Sequence, residues 1–372
     1  MKGEKVTLEI TGTGMDGEGV ARMDNLAIFI PGALMGETVE AILYERKKNF
    51  ARARVIKVLK PSPERVEPLC SVYYRCGGCT MQHVNYPAQL KLKRAELSDC
   101  IKKQLKRDIE VGETVPSDKV IGYRNKLQLP IGEENGRIIA GFYKENTHSI
   151  VPIERCPLHG EWADIIIGIF LQFANEYRLT AYNESTGKGL LRHLVARRVG
   201  EDNYSIVIVI NGDKLPQADI LADRLSAVFK DRFTLHYSIN RARNNVIMGD
   251  NIHLVYGSDR IITMISGLKV SVSPLSFMQI NDYIRDRIYA DAINCLDEND
   301  LVIDAYSGAS LMTALAAKKV QGAIGIEIIK EAVEDADALM KANDLFDRVV
   351  NITGDTAEIL PRLTNYLSVN GF

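Results

Sequence analysis

Six cysteines, at positions 70, 76, 79, 100, 156 and 295, are the residues of this chain whose type and spacing could do chemistry. Three of them crowd into Cys70-x5-Cys76-Gly77-Gly78-Cys79. Paired glycines let a backbone turn tightly enough for neighbouring thiolates to converge on one metal ion or cluster. Three sulfurs need a fourth, and Cys156 in Glu154-Arg155-Cys156-Pro157 is available for it. A disulfide framework fits poorly, because Met1-Lys2-Gly3-Glu4-Lys5 leads into alternating residues and not into an apolar signal core. Four thiolates suit zinc as well as iron. Zinc sites more often pair two CxxC knuckles, and this chain has one, so the spacing favours a [4Fe–4S] cluster and leaves zinc as the rival. Cys100 and Cys295 fall within helical patterns and read as buried thiols.

A second set of reactive types lies near the C-terminus. Leu301-Val302-Ile303-Asp304-Ala305-Tyr306-Ser307-Gly308 reads as a buried strand that runs into a glycine turn. Nucleotide-like ligands bind at such turns on the carboxyl edge of a parallel sheet. About 20 residues on, Ile324-Gly325-Ile326-Glu327 ends the next strand in a carboxylate placed to accept two ribose hydroxyls. Gly354-Asp355 follows a third strand, where a carboxylate can face an adenine amino group. Acids at these places also serve as ordinary strand-end and helix-cap residues. Neither GxGxxG nor a P-loop occurs, which argues against NAD and ATP. The layout fits S-adenosylmethionine.

The elements that must position these groups amount to two or three domains, on a prior of about 150 residues each. A hydrophobic fraction of 46% with 25% charged residues excludes a disordered chain, and the length excludes a disulfide-stapled miniprotein. No run nears the roughly 18 apolar residues of a membrane helix, so a soluble, cytoplasmic monomer is expected. Residues 1–60 alternate in about five short strands and suit a small OB-like barrel. Pro61 to Pro68 reads as a stiff linker, and a helix follows Pro87. Residues 61–265 form a central α+β domain, with an apolar helix or strand at Ile165 to Phe173 and a buried strand at Ile206 to Ile210. From 266 to 372 the order is helix (about Asn281 to Leu296), then β-α-β-α-β, which implies parallel strands in a doubly wound sheet.

Charge is divided along the chain. Residues 281–372 hold 16 Asp/Glu against 8 Lys/Arg, leaving 38 basic and 32 acidic residues ahead of them. Seven basic residues lie between Arg46 and Lys60, with Phe50 available to stack on a base. The front of the chain therefore suits RNA, although lysines and arginines also protect edge strands.

Taken in order, these motifs resemble the iron–sulfur RNA (uracil-5-)-methyltransferases, which make 5-methyluridine in 23S ribosomal RNA. The resemblance also rests on Gly122-Tyr123-Arg124-Asn125-Lys126, Gly189-Leu190-Leu191-Arg192-His193-Leu194 and Ser276-Phe277-Met278-Gln279-Ile280-Asn281, and it spans nearly the whole chain. It implies an N-terminal TRAM barrel, a [4Fe–4S] cluster on Cys70, Cys76, Cys79 and Cys156, and S-adenosylmethionine contacts from Gln279, Tyr306, Glu327 and Asp355. Arg124, Asn125, Lys126, Arg192 and His193 become candidate RNA contacts, with surface salt bridges as the ordinary alternative for the arginines and lysine. In such enzymes a cysteine thiolate adds to uracil C6, which makes C5 nucleophilic enough to take a methyl group. A carboxylate base then removes the C5 proton.

Two departures from the pattern set further expectations. The family's Asp-Pro-Pro-Arg strand, nucleophilic cysteine and base glutamate have no counterpart before Phe372, so the sequence reads as a truncated member with no catalytic residues of its own and an exposed apolar sheet edge. Ser310 replaces a glycine of the cofactor turn, where its Cβ is expected to crowd the ligand. A non-catalytic RNA-binding protein and a tRNA methyltransferase are the competing readings.

Overall fold

A computed structural model describes residues 3–14 and 17–369. The chain divides into two compact units, residues 1–117 with 142–151, and residues 118–141 with 152–372.

In the first unit, strands β1 (Lys5–Glu9), β2 (Gly12–Thr13), β3 (Gly19–Met23), β4 (Leu26–Ile30), β5 (Thr38–Arg46) and β6 (Phe50–Lys60) pair in the order β1-β5-β6-β4-β3-β2. Six strands form where about five were expected, the extra one being the two-residue β2. Alternation directs Val39, Ala41 and Leu43 of β5 inward against Leu8, Ile28, Ile30, Ala51 and Ala53. Three register shifts in the β5–β6 pair bend the sheet around this core. Met15 and Asp16, in the glycine-rich turn, lie outside the described residues, as do Met1, Lys2 and Asn370 to Phe372.

The stretch after β6, read as a stiff linker, is anchored to the first sheet. Fully buried Glu37 accepts hydrogen bonds from the Leu34 and Ser62 amides (2.9 and 3.1 Å) and from Arg65 Nε and Nη2 (2.5 and 2.8 Å). Burial pushes the Glu37 carboxyl up, but Arg65 and the two amides outweigh it and hold it below the usual range. Helix α1 (Tyr86–Leu105) starts where Asn85 Oδ1 caps the Ala88 amide at 2.9 Å, and it ends with Lys102 and Lys103 on its negative dipole end. Cys100 on α1 is exposed, not buried.

The main sheet contains β7 (Lys126–Glu134), β8 (Arg137–Tyr143), β9 (Ile150–Pro152), β10 (Leu191–Val199), β11 (Asn203–Ile210), β12 (Phe233–Ile239) and β13 (Asn251–Tyr256). Its order is β13-β12-β11-β10-β7-β8-β9. Helices α2 (Glu161–Glu176) and α3 (Ala218–Phe229) pack on it, burying Trp162, Ile166, Phe170 and Phe173 from the first and Leu221, Leu225 and Phe229 from the second. The Ile165–Phe173 run is thus helical, because its apolar residues recur every three to four positions. A hairpin of β14 (Ile261–Ile265) and β15 (Leu268–Val272) leads to the loop Ser273–Asn281 and helix α4 (Asp282–Asn294). Cys295, the cap of α4, is exposed, again against expectation.

The last part follows the expected order. Strands β16 (Leu301–Ala305), β17 (Gly322–Glu327) and β18 (Val349–Thr353) are parallel and in register, and helices α5 (Leu311–Ala317), α6 (Lys330–Ala342) and α7 (Thr356–Val369) follow them in turn. Leu268, Ala314, Ala317, Ala323, Leu339, Met340 and Val349 form the core. Val350 on β18 stays largely exposed.

Candidate functional site

Cys70, Cys76 and Cys79 lie on one loop of the first unit, all half-buried and none in a disulfide. Gln82 links two of them: its Oε1 accepts from the Cys70 amide and its Nε2 donates to Cys79 Sγ, each at 3.2 Å. The Gly78 amide donates to Cys76 Sγ at 3.4 Å. Such N–H···S contacts stabilise thiolates. Burial, together with Cys79 and Cys70 nearby, raises the Cys76 thiol above its ordinary value, which a bound cation would reverse. Gly77 is required by close approach and not by turn angle: a Cβ there would stand 2.9 Å from Glu145 N and Tyr143 O. Among the described residues, no three His, Cys, Asp or Glu side chains are gathered closely enough to hold a metal ion. Cys156 is half-buried in the second unit, its amide donating to Asp164 Oδ1 at 3.0 Å.

At the carboxyl edge of the parallel sheet the expected residues do gather. Glu327 Oε2 accepts the Gly308 amide and Oε1 the Ile329 amide, both at 2.9 Å, so the carboxylate fixes the turn and retains lone pairs for hydroxyl donors. The Gly354 amide donates to the Glu327 carbonyl at 2.8 Å, bringing the Asp355 turn alongside. Adjacent strands lie about 4.8 Å apart, so Tyr306, Glu327 and Asp355 span about 10 Å of one edge. Tyr306 is 73% exposed with φ +63°, and Asp355, also exposed, caps α7 through the Ala357 amide at 2.8 Å. Gly308, at φ +56°, has no atom within 4 Å of where a Cβ would stand. An open turn, an accepting carboxylate and an exposed aromatic ring fit a nucleoside ligand.

Ser310 does not reach into that space. It is fully buried at φ +57°, with Oγ donating to Asn351 Oδ1 at 2.9 Å and paired with the Ser307 hydroxyl at 3.2 Å. The side chain packs on Gly325, where a Cβ would meet Ser310 Oγ at 2.9 Å. The expected crowding of the ligand is therefore directed at the sheet. Burial raises the Asp304 carboxyl, a push that Thr313 Oγ1 partly offsets by donating to it at 2.6 Å.

Gln279 is exposed on the Ser273–Asn281 loop. Near its start that loop is held at Ser276, whose Oγ donates to Asp335 Oδ2 on α6 at 3.2 Å and whose carbonyl accepts from Arg197 Nη1. Sequence reasoning missed Gln82, Arg197, Asp282 and Asp335, since polar residues that act through the fold carry no motif.

The five residues nominated for RNA are placed unequally. Arg124 and Lys126 are half-buried. Burial, and Arg197 directly across the strand pair, lower the Lys126 amine. Asn125 is fully buried. Arg192 is buried too, donating to the Asn240 and Ala242 carbonyls (2.6 and 2.9 Å) with its guanidinium 4.5 Å from the Tyr182 ring centre. Burial, with Arg192 adjacent, lowers His193 to about 4 and keeps it neutral. On the barrel, Phe50 packs edge-on to Phe29, with Lys47 Nζ and the Arg52 guanidinium 5.3 and 5.9 Å from its ring. Both cations also approach Glu45, at 3.1 and 3.7 Å.

The fold is that of an α/β protein with an open, carboxylate-bearing edge on a parallel sheet and a small β module at its N-terminal end. Residues 1–56 match the TRAM domain family. An RNA methyltransferase of Clostridium tetani is 33% identical over 365 residues, 97% of this chain and 79% of that one. Another, from Caldanaerobacter subterraneus, is 36% identical over 346 residues, 92% of this chain and 76% of its own. Among solved structures, the Pyrococcus abyssi tRNA (uracil-54, C5)-methyltransferase in complex with S-adenosyl-L-homocysteine superposes with a TM-score of 0.72 at 26% identity, covering 93% of this chain and 79% of that one. The chain belongs to the RNA methyltransferase family.

Proposed function

We propose that this protein serves S-adenosylmethionine-dependent methylation of uridine C5 in RNA, with 23S ribosomal RNA as substrate. The carrying observation is the sheet edge where Glu327 fixes both the Gly308 turn and the Asp355 turn, in a chain similar over most of its length to an enzyme of known uracil-C5 specificity. When bound, S-adenosylmethionine supplies an electrophilic methyl group. Glu327 would hold its ribose, Asp355 its adenine, and Tyr306 and Gln279 its remaining surface. Arg124 and Lys126 face the RNA reading best, while Asn125 and Arg192 are spent on internal bonds. A [4Fe–4S] cluster on Cys70, Cys76, Cys79 and Cys156 belongs to the same reading; the N–H···S bonds from Gly78 and Gln82 support thiolate donors. Its role is structural, since methyl transfer involves no redox change.

None of the six cysteines suits the nucleophile that must add to C6. Four serve the cluster, Cys100 lies on α1, and Cys295 precedes β16, at the opposite end of that strand from Tyr306. Transfer RNA is the second reading, favoured by the substrate of the archaeal structural relative.

Mass spectrometry of nucleosides from a gene deletion and its complemented strain separates these readings. Loss of 5-methyluridine from ribosomal RNA, restored on complementation, is the expected result. Loss from tRNA alone transfers the assignment to tRNA. Loss from neither leaves a non-catalytic RNA-binding protein.

A further inference from the structure

Asn125 is a polar residue with no exposed surface, and its hydrogen bonds run to the segment that carries Gln279 and to the strand beside it. Its Nδ2 donates to the Gln279 carbonyl at 2.8 Å and to Asp282 Oδ1 at 2.9 Å. Its amide donates to the Ile280 carbonyl at 2.9 Å, and its carbonyl accepts the Arg198 amide at 2.8 Å. The neighbouring Arg124 forms an antiparallel bridge with Asn281. Asp282 is held from its other sides by Arg285 Nη1 at 2.6 Å and Arg198 Nη2 at 3.5 Å.

A side-chain amide offers two N–H donors on one nitrogen. Here those donors tie a main-chain carbonyl at 279 to a side-chain carboxylate at 282, so one group fixes both ends of a four-residue turn. No aliphatic or hydroxyl residue could satisfy both acceptors. Both N–H donors of this buried amide are bonded, which offsets their burial, while its Oδ1 is buried with no hydrogen-bond partner.

We propose that Asn125 is the positioning residue for Gln279, setting the turn from which Gln279 meets S-adenosylmethionine; this rests on the cofactor role given to Gln279 above. The residue acts through its neighbour and touches neither cofactor nor RNA.

A double-mutant cycle on the full chain tests it, with S-adenosylhomocysteine affinity read by calorimetry and folding read by urea denaturation. Gln279→Ala and Asn125→Ala should each weaken binding by about tenfold, the worth of one or two hydrogen bonds. The double variant should match the weaker single, because removing Gln279 leaves Asn125 nothing to position. An additive, roughly hundredfold loss overturns the proposal, as does an Asn125→Ala protein that folds and binds normally. If Gln279→Ala alone binds normally, the cofactor role of Gln279 falls and this proposal falls with it. Should Asn125→Ala fail to fold, the unaltered protein still decides the matter. The Asn125 amide bonded to Ile280 must exchange hydrogen more slowly once S-adenosylhomocysteine is added, and unchanged exchange overturns the assignment.

Discussion

Ser310 combines a backbone penalty with a side-chain gain, and the two separate cleanly by substitution. At φ +57° a residue with a Cβ sits in the left-handed region, at a cost of about 1–2 kcal/mol relative to glycine. Against this, Oγ bonds Asn351 Oδ1 and Ser307 Oγ in a site with no exposure. Ser310→Ala keeps the strained φ and strips Asn351 Oδ1 of this partner, so it should destabilise the second unit by about 1–3 kcal/mol. Ser310→Gly loses the same bonds but relieves the backbone, and should recover about 1 kcal/mol of that loss; glycine at a helix N-cap costs only a few tenths more. Urea denaturation followed by the fluorescence of Trp162, the single tryptophan and a residue of the same unit, measures both. Because Oγ faces Gly325, S-adenosylhomocysteine affinity should change less than about threefold in either variant. A Ser310→Gly protein less stable than Ser310→Ala refutes the strain argument. A tenfold gain in ligand affinity on Ser310→Gly would show that the side chain obstructs the site after all.

Glu37→Ala should cost about 3–5 kcal/mol, because it leaves the Arg65 guanidinium partly buried without its carboxylate; a loss under 1 kcal/mol in chemical denaturation contradicts the pairing. Burial holds His83 and His159 near a pKa of about 4, against 6.5 in the unfolded chain. The unfolded chain then binds protons that the native state refuses. Stability is accordingly full above pH 6.5 and falls as pH drops towards 4, with a slope approaching 1.4 kcal/mol per pH unit for a histidine as enclosed as His159. Urea midpoints at pH 7.5, 6 and 5 should decline, and His159→Gln should flatten the decline. Cys76→Ser and Gly77→Ala should each abolish the brown colour and iron content of anaerobically purified protein, the second by driving a Cβ into the Tyr143–Glu145 backbone. Colourless wild-type protein with one stoichiometric zinc would replace the cluster assignment.

The sequence by itself determined the elements whose signal is local. Period-two alternation marked the strands of the barrel, and the β-α-β-α-β order with acids at strand ends marked the parallel sheet, because a parallel pair needs a helical crossover and its ligand edge follows from chain direction. The positions of Glu327 and Asp355 at strand ends were legible for that reason, whereas Tyr306 was singled out only by the family resemblance. What only the tertiary structure decided is which polar groups face inward. Asn125 and Arg192 carry the composition of RNA contacts, yet packing turns both to carbonyls and a carboxylate drawn from segments 48 to 157 residues away in the chain. Ser310 likewise reads as an obstruction at the ligand turn, until the left-handed φ directs its hydroxyl down to Asn351 on a strand 41 residues later. Cys100 and Cys295 show the opposite failure: helical periodicity placed them in a core, but the helices that carry them bury almost nothing, Ala88 on α1 and Arg285 on α4. A residue's neighbours along the chain fix its backbone, whereas its partners across space fix whether its polar atoms are spent or free.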